Sequence, residues 1–183
     1  MPVPVFSTGE VLTASSMNQI GLWHITTVSP TPATTIAINN CFSSSFNSYR
    51  IIASPIGVAG TISTDTSLRL RVGGVPSGLA YYQTTIFAES STLFSNSENA
   101  VGNFRFLATA SNNLTYNFVT AELHGPFLTS ATKYQNIHSG WGANIRQRQT
   151  TGFHDAAISY DGFELTAPSN ITATISVYGY NKG

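Results

Sequence analysis

Charge is what this sequence has least of. Asp, Glu, Lys and Arg make up 9% of its 183 residues, against about 25% in an ordinary soluble domain. Eight basic residues balance eight acidic ones, and the formal net charge is zero. That balance excludes any general electrostatic attraction to nucleic acid or to anionic lipid. A chain so poor in charge must cover itself with Ser, Thr, Asn, Gln and Gly. Such a surface offers little repulsion between molecules, which suits a protein held in an assembly better than a free cytosolic enzyme.

Cysteine is nearly absent as well. The single Cys41 permits no internal disulfide and reads as a small buried thiol, not a nucleophile. No run approaches the ~18 apolar residues of a membrane span, so no membrane is expected as a partner. The opening MPVPVFSTGE has neither the basic region nor the apolar core of a signal peptide. The chain is therefore expected to be made in a cytoplasm and to leave it, if at all, by release of a particle. At 42% hydrophobic it can nonetheless bury a sizeable core, and its length suits one domain.

Strong helix formers are too few for helices to dominate. One short helix is expected within GEVLTASSMNQIGLWHI (Gly9 to Ile25), capped by Thr13 or Ser15 and carrying Met17, Ile20 and Leu22. Before it, Pro2 and Pro4 mark an extended arm. Residues 1–30 are thus assigned to an arm and helix for docking, and residues 31–183 to one β domain. Within that domain TTIAIN places Ile36 and Ile38 on one face, and SYRIIAS is a compact apolar strand. SLRLRVGG sets Leu68, Leu70 and Val72 against Arg69 and Arg71, and NFRFLATA sets Phe104, Phe106 and Ala108 against Arg105. LTYNFVTAEL puts Leu114, Tyr116 and Phe118 opposite Thr115, Asn117 and Val119.

Turn chemistry separates these runs at VGGVPSG, SNSENAVGN, ASNN, HGPFLTS and APSN. The last of these divides SYDGFELTAPSNITATISVYGY (Ser159 to Tyr180) into an expected hairpin. Its second arm puts Ile171, Ala173, Ile175 and Val177 inward, and Thr172, Thr174, Ser176, Tyr178 and Tyr180 outward. Tyr178 and Tyr180 are the expected subunit contact. Many short strands without intervening helices predict an all-β antiparallel sandwich of jelly-roll kind, preceded by the arm and one short helix.

Catalytic patterns are absent. The eight carboxylates show no pairing legible from spacing, and His24, His124, His138 and His154 form no HxH, HExxH or Cys/His set. Asp161 before Gly162 reads as a turn pair that bonds nearby backbone. Phe153-His154-Asp155 reads as a loop turn. No nucleophile elbow, phosphate loop or dinucleotide fingerprint occurs. A non-enzyme without metal or cofactor is the expectation. In IRQRQ, Arg146 and Arg148 share a face at strand spacing. That is too little for a nucleic-acid surface and suits exposed arginines at a subunit contact.

One stretch fits contact with sugar. HSGWGANIRQRQTTGFHD (His138 to Asp155) sets Trp141 between two glycines and adds Asn144, Arg146, Arg148, the two glutamines Gln147 and Gln149, and His154. An open indole can meet the apolar face of a sugar while amides reach its hydroxyls. The plainer role, preferred on the sequence, is packing at a sheet edge or subunit seam. Tyr81 and Tyr82 face opposite ways, so one belongs to the core.

Several stretches also carry a family likeness. Phe6 to Asn18, FSTGEVLTASSMN, resembles the N-terminal segment of tailed-bacteriophage structural proteins, notably tail-fibre and appendage proteins. FNSYRII, LRLRVGG and the final YDGF…ITATISVYGY are similar to stretches of small phage β-sandwich proteins. The resemblance implies a virion protein assembled in a bacterial cytoplasm. It further implies a trimer, docked on other virion proteins through an arm in which Phe6, Val11, Leu12 and Met17 make the contacts. A fibre with a long shaft would carry a repetitive or coiled-coil segment, which this chain lacks. A short fibre-type subunit that contacts host-surface glycan is therefore the leading expectation. A capsid decoration or cement protein is the alternative. A free lectin-like carbohydrate-binding module, and lastly a glycan hydrolase, are the readings from other classes.

Overall fold

The computed structural model describes residues 21–60, 65–89, 92–108, 117–141 and 145–181. Among them lie twelve strands and no helix. The expected short helix falls mostly outside the described residues. Where its stretch enters them, Leu22 already opens strand β1 (Leu22–Val28), which belongs to the sheet. There follow β2 (Ala33–Ile38), β3 (Phe46–Val58), β4 (Asp65–Val72), β5 (Val75–Pro76) and β6 (Tyr81–Glu89). Then come β7 (Thr92–Val101), β8 (Phe104–Ala108), β9 (Phe118–His124), β10 (Thr132–Trp141), β11 (Ile145–His154) and β12 (Gly162–Asn181).

All pairings are antiparallel, in the order β5-β4-β12-β3-β9-β10-β11-β6-β7, with β1 and β2 on β12 and β8 on β4. The sheet curls into a half-barrel. β8 lies over the inner side of β10, where the Asn136 amide donates to the carbonyls of Arg105 (3.1 Å) and Phe106 (2.7 Å). The Phe104 ring stacks on Tyr134 and meets Tyr81 edge-on. The core of the half-barrel gathers Ile51, Leu68, Leu70, Phe104, Phe106, Leu123, Phe163 and Ile175, all buried. Each such side chain taken from water contributes about 1.5–3 kcal/mol.

The final segment is one strand of 20 residues, not a hairpin. APSN lies inside it and does not turn the chain back. Residues Gly162 to Thr166 pair with β4, and residues from Ile171 onward pair with β3. The partners on the other edge change in step, from β2 to β1. Between Thr166 and Ile171 the register shifts. Pro168, which has no N–H to give to a ladder, stands in that gap. Turn-forming residues here let a long strand change neighbours as the sheet curls. The inward set expected for its second half is correct: Ile171, Ala173, Ile175 and Val177 are buried.

One other turn assignment changes. SNSENAV is strand, the greater part of β7 paired along β6. VGGVPSG does turn the chain, with Gly73 and Gly74 both at positive φ (57° and 81°) between Val72 and Val75, as a two-residue hairpin loop requires. HGPFLTS is likewise irregular. In β9 the expected faces separate, and the inward one is that of Asn117 and Val119, buried with Ala121 and Leu123, while Phe118 is exposed. The neighbour decides this, because the register sets Val119, Ala121 and Leu123 beside the inward Ala53, Ile51 and Tyr49 of β3. Val72 at the end of β4 is exposed too, beyond the cover that buries Leu68 and Leu70.

Candidate functional site

The scarce charges are used mostly within the chain. Glu164, only 2% exposed, is held by Arg69 (Nε to Oε1, 2.8 Å) and by Arg71, which also donates to Asn39 Oδ1. Arg105 spans Glu98 and Asp65, and Arg148 lies 3.4 Å from the same Asp65. Hydrogen bonds from Arg105 outweigh burial and hold the Glu98 carboxyl below its usual range. Arg50 donates to Glu122, which also accepts from the Tyr180 hydroxyl (2.6 Å) and the Gln135 amide (3.2 Å). Burial pushes the Glu122 carboxyl up, but the Tyr180 and Arg50 bonds prevail and keep it below the usual range.

A second cluster sits at the base of β11. His154 is 1% exposed, and its Nε2 lies 2.7 Å from Ser77 Oγ and 3.2 Å from the Tyr160 hydroxyl. Its ring packs 4.1 Å from that of Tyr81. Burial lowers the imidazole pKa, with the nearby Asp155 charge opposing. A serine hydroxyl on an imidazole nitrogen is the first half of a nucleophile–base arrangement. The second half, a group that orients the ring through Nδ1, is not supplied by the described residues: Nδ1 is buried without a hydrogen-bond partner. The geometry suits a structural contact between the β5–β6 connection and β11.

The outer surface of β9, β10, β11 and β6 has a different chemistry. The pairings align Glu122, Gln135, Thr151, Thr84 and Ser97 in one row across the strands. A second row holds Thr120, Ile137, Gln149 and Ile86, and a third His124, Lys133, Phe153 and Tyr82. Three hollows indent this face. One of about 270 Å³ is bounded by Arg50, Glu122, Gln135, Ile137 and Gln149. Another of about 450 Å³ adjoins it at Gln135 and extends past Lys133 to Thr151 and Phe153. A third of about 410 Å³ lies beyond Phe153 against Tyr82, Gln83, Thr84 and Asn99. The exposed Phe153 ring stacks on Tyr82, centroids 5.0 Å apart and planes 12° from parallel.

The candidate residues named from sequence are not brought together. HSGWGANIRQRQTTGFHD lies largely on the paired strands β10 and β11. Trp141 ends β10 opposite Ile145, and Arg146 pairs with Gly140 and Glu89 near the same tip. Asn144 lies outside the described residues. Arg148 is not the exposed arginine expected: its side chain is 11% exposed, paired with Asp65, and its guanidinium stands 5.4 Å from the Phe87 ring centroid. His154 lies in strand and not in a turn, about 20 Å along β11 from Arg148 at strand spacing. Tyr178 packs edge-on against His24 (5.4 Å), and Tyr180 is engaged by Glu122 under Arg50. Phe6, Val11, Leu12 and Met17 lie outside the described residues. Tyr81 is the core member of its pair and Tyr82 the outer one.

The residues overlooked in the sequence are others of the outer rows, above all Gln135, Thr151 and Phe153, which stand beside the Gln149 already named. Alternation along TKYQNIHSGW was the available signal. It was obscured because the inward positions Asn136 and His138 are polar too. Among the described residues no three His, Cys, Asp or Glu side chains are grouped to hold a metal ion. Among them, too, no helix is long and apolar enough to cross a membrane. Comparison with protein-family models, with curated proteins and with solved structures finds no match to this chain.

Proposed function

We propose that this chain is a non-enzymatic structural subunit of a bacteriophage virion, of short tail-fibre or appendage type. It acts as a trimer, docked on other virion proteins by its N-terminal segment, with an outward β domain that meets host-surface glycan. The observation that carries this reading is a patch at one end of the half-barrel. Val72, Val75, Leu79, Leu128 and Ile158 are all exposed there. Their loops are tied to one another: Gly73 N donates to Asp161 Oδ2, Asp161 N to Arg71 O, Tyr160 N to Pro126 O, and Asp155 N to Ala80 O. Apolar groups on braced loops, in a chain whose arginines are largely neutralised internally, suit a permanent contact between subunits. The likeness of the sequence to phage structural proteins supplies the setting. The jelly-roll-like sandwich belongs to the same reading, supported by the way β8 covers β10.

Light scattering on the purified chain tests it. A trimer is expected, and Leu79→Asp combined with Val75→Asp is expected to give a folded monomer. A wild-type protein that stays monomeric at high concentration overturns the proposal. Imaging of the assembled particle with this subunit located then separates a tail appendage from the alternative of a head-decoration protein.

A further inference from the structure

We infer that the outer face of β9, β10, β11 and β6 is a binding track for an uncharged polysaccharide chain, with the exposed Phe153–Tyr82 stack as its platform. The inference deepens the glycan-contact part of the reading above and places that contact on the open sheet, away from the Trp141 tip. Three features carry it. First, the hollows adjoin one another: the first and second share Gln135, and the second and third share Thr151, Gly152 and Phe153. Together they run along β10 and β11 and then across to β6, a path for an extended ligand and not a pit for a compact one. Second, amides and hydroxyls recur along the lining, at Thr120, Gln135, Gln149, Thr151 and Thr84, between stretches of carbon surface. Each Gln offers donors and an acceptor and each Thr hydroxyl offers both, which matches sugar hydroxyls that also do both. Third, the path has two apolar steps at which ring C–H faces can rest, Ile137 and the stacked Phe153.

Charge narrows the ligand class. Arg50 and Glu122 neutralise each other at one end of the track, and Lys133 is its other fixed cation. One lysine does not make a surface for a polyanion. A neutral chain instead leaves the Arg50–Glu122 pair intact, and its hydroxyls can donate to the carboxylate or accept from the guanidinium.

Native affinity electrophoresis through gels containing dextran, a mixed-linkage β-glucan or a galactomannan tests the inference, with dextran sulfate as the charged probe. Retardation is expected in at least one neutral gel and is expected to persist at raised salt, where exposed charge contacts are screened. Phe153→Ala and Gln149→Ala, both at exposed positions, should each weaken that binding about tenfold. Trp141→Ala should leave it unchanged. No retardation in any neutral gel overturns the inference, as does retardation by dextran sulfate alone. So does a wild-type response in both track variants, or loss of binding in Trp141→Ala alone, which moves the contact to the hairpin tip. A monomer that is still retarded sinks the trimeric assembly and leaves the track standing, so the two failures are distinguishable.

Discussion

Tyr180 donates a 2.6 Å hydrogen bond to Glu122 although β3 lies between their strands. The Arg50 guanidinium, on that middle strand, stands 5.5 Å from the Tyr180 ring centroid and donates to the same carboxylate. The phenol spans the width of a strand and ties the closing segment of the chain to β9. Burial, then the bond to the Glu122 carboxylate, pushes the Tyr180 hydroxyl up to about 12, so it is a donor at neutral pH.

Replacing that donor removes one bond to a charged acceptor and little packing. Tyr180→Phe is expected to lower stability by about 1–2 kcal/mol, allowing for partial exposure. Urea unfolding should show an earlier midpoint and an unchanged slope. An unchanged midpoint would mean that the bond contributes nothing.

Glu164 is the most buried of the paired carboxylates, flanked by Arg69 and Arg71. Removing a buried ion's counter-charge leaves the partner desolvated and uncompensated. Glu164→Gln is expected to cost about 3 kcal/mol in the same assay. Arg69→Met should cost less, because the Arg69 side chain is partly exposed. A reversed order would place the main anchor at Arg69.

Gly162 opens β12 where the backbone of β2 passes very close. A Cβ there would lie 2.2 Å from the Ile38 carbonyl oxygen and 2.9 Å from Asn39 Cα. Neither backbone atom can swing aside, so Gly162→Ala is expected to lose about 3 kcal/mol or to fail to fold. Gly78, with nothing within 4 Å of an added Cβ, is the control: Gly78→Ala should stay within about 0.5 kcal/mol of the parent. Thermal unfolding of the two variants side by side checks this.

Acid should destabilise the protein in two stages. His154 is held neutral by burial, its pKa below the ordinary 6.5. The unfolded chain therefore takes up that proton first as pH falls, and stability drops below pH 6.5. Glu98 and Glu122 have lowered pKa values, so their contribution, complete above the ordinary 4.5, is lost as pH falls below it. Midpoints of urea unfolding between about pH 8 and about pH 3 should follow this course. His154→Asn is expected to flatten the upper stage while keeping the lower one. An upper stage of undiminished size in that variant would assign it to another group.

Much of the strand content was legible because apolar alternation survives wherever one neighbour is core and the other solvent. Ile36 and Ile38, Leu68 and Leu70, Phe104 and Phe106, and the four inward residues of the last strand all declare themselves in this way. The signal fails where polar groups face inward to bond backbone. Asn136 serves β8 carbonyls, and Gln83, accepting from Arg105 N and donating to Glu98, serves β8 and β7. Hydropathy cannot separate such residues from solvent-facing ones, and the outer track they back was hidden for that reason. Turn residues misled where they served a change of partner, as at APSN.

The sequence by itself determined an all-β chain with a core of alternating aliphatic and aromatic residues. It also determined a surface starved of charge, because composition and period are local properties. Tertiary structure alone decided that the last twenty residues form one strand and not two. It also joined Arg50 to Glu122 and Arg148 to Asp65, buried His154, and opened Phe153 beside Tyr82. Each of these depends on which distant strand lies alongside. A register shifted by one residue would turn every one of those side chains to the opposite face.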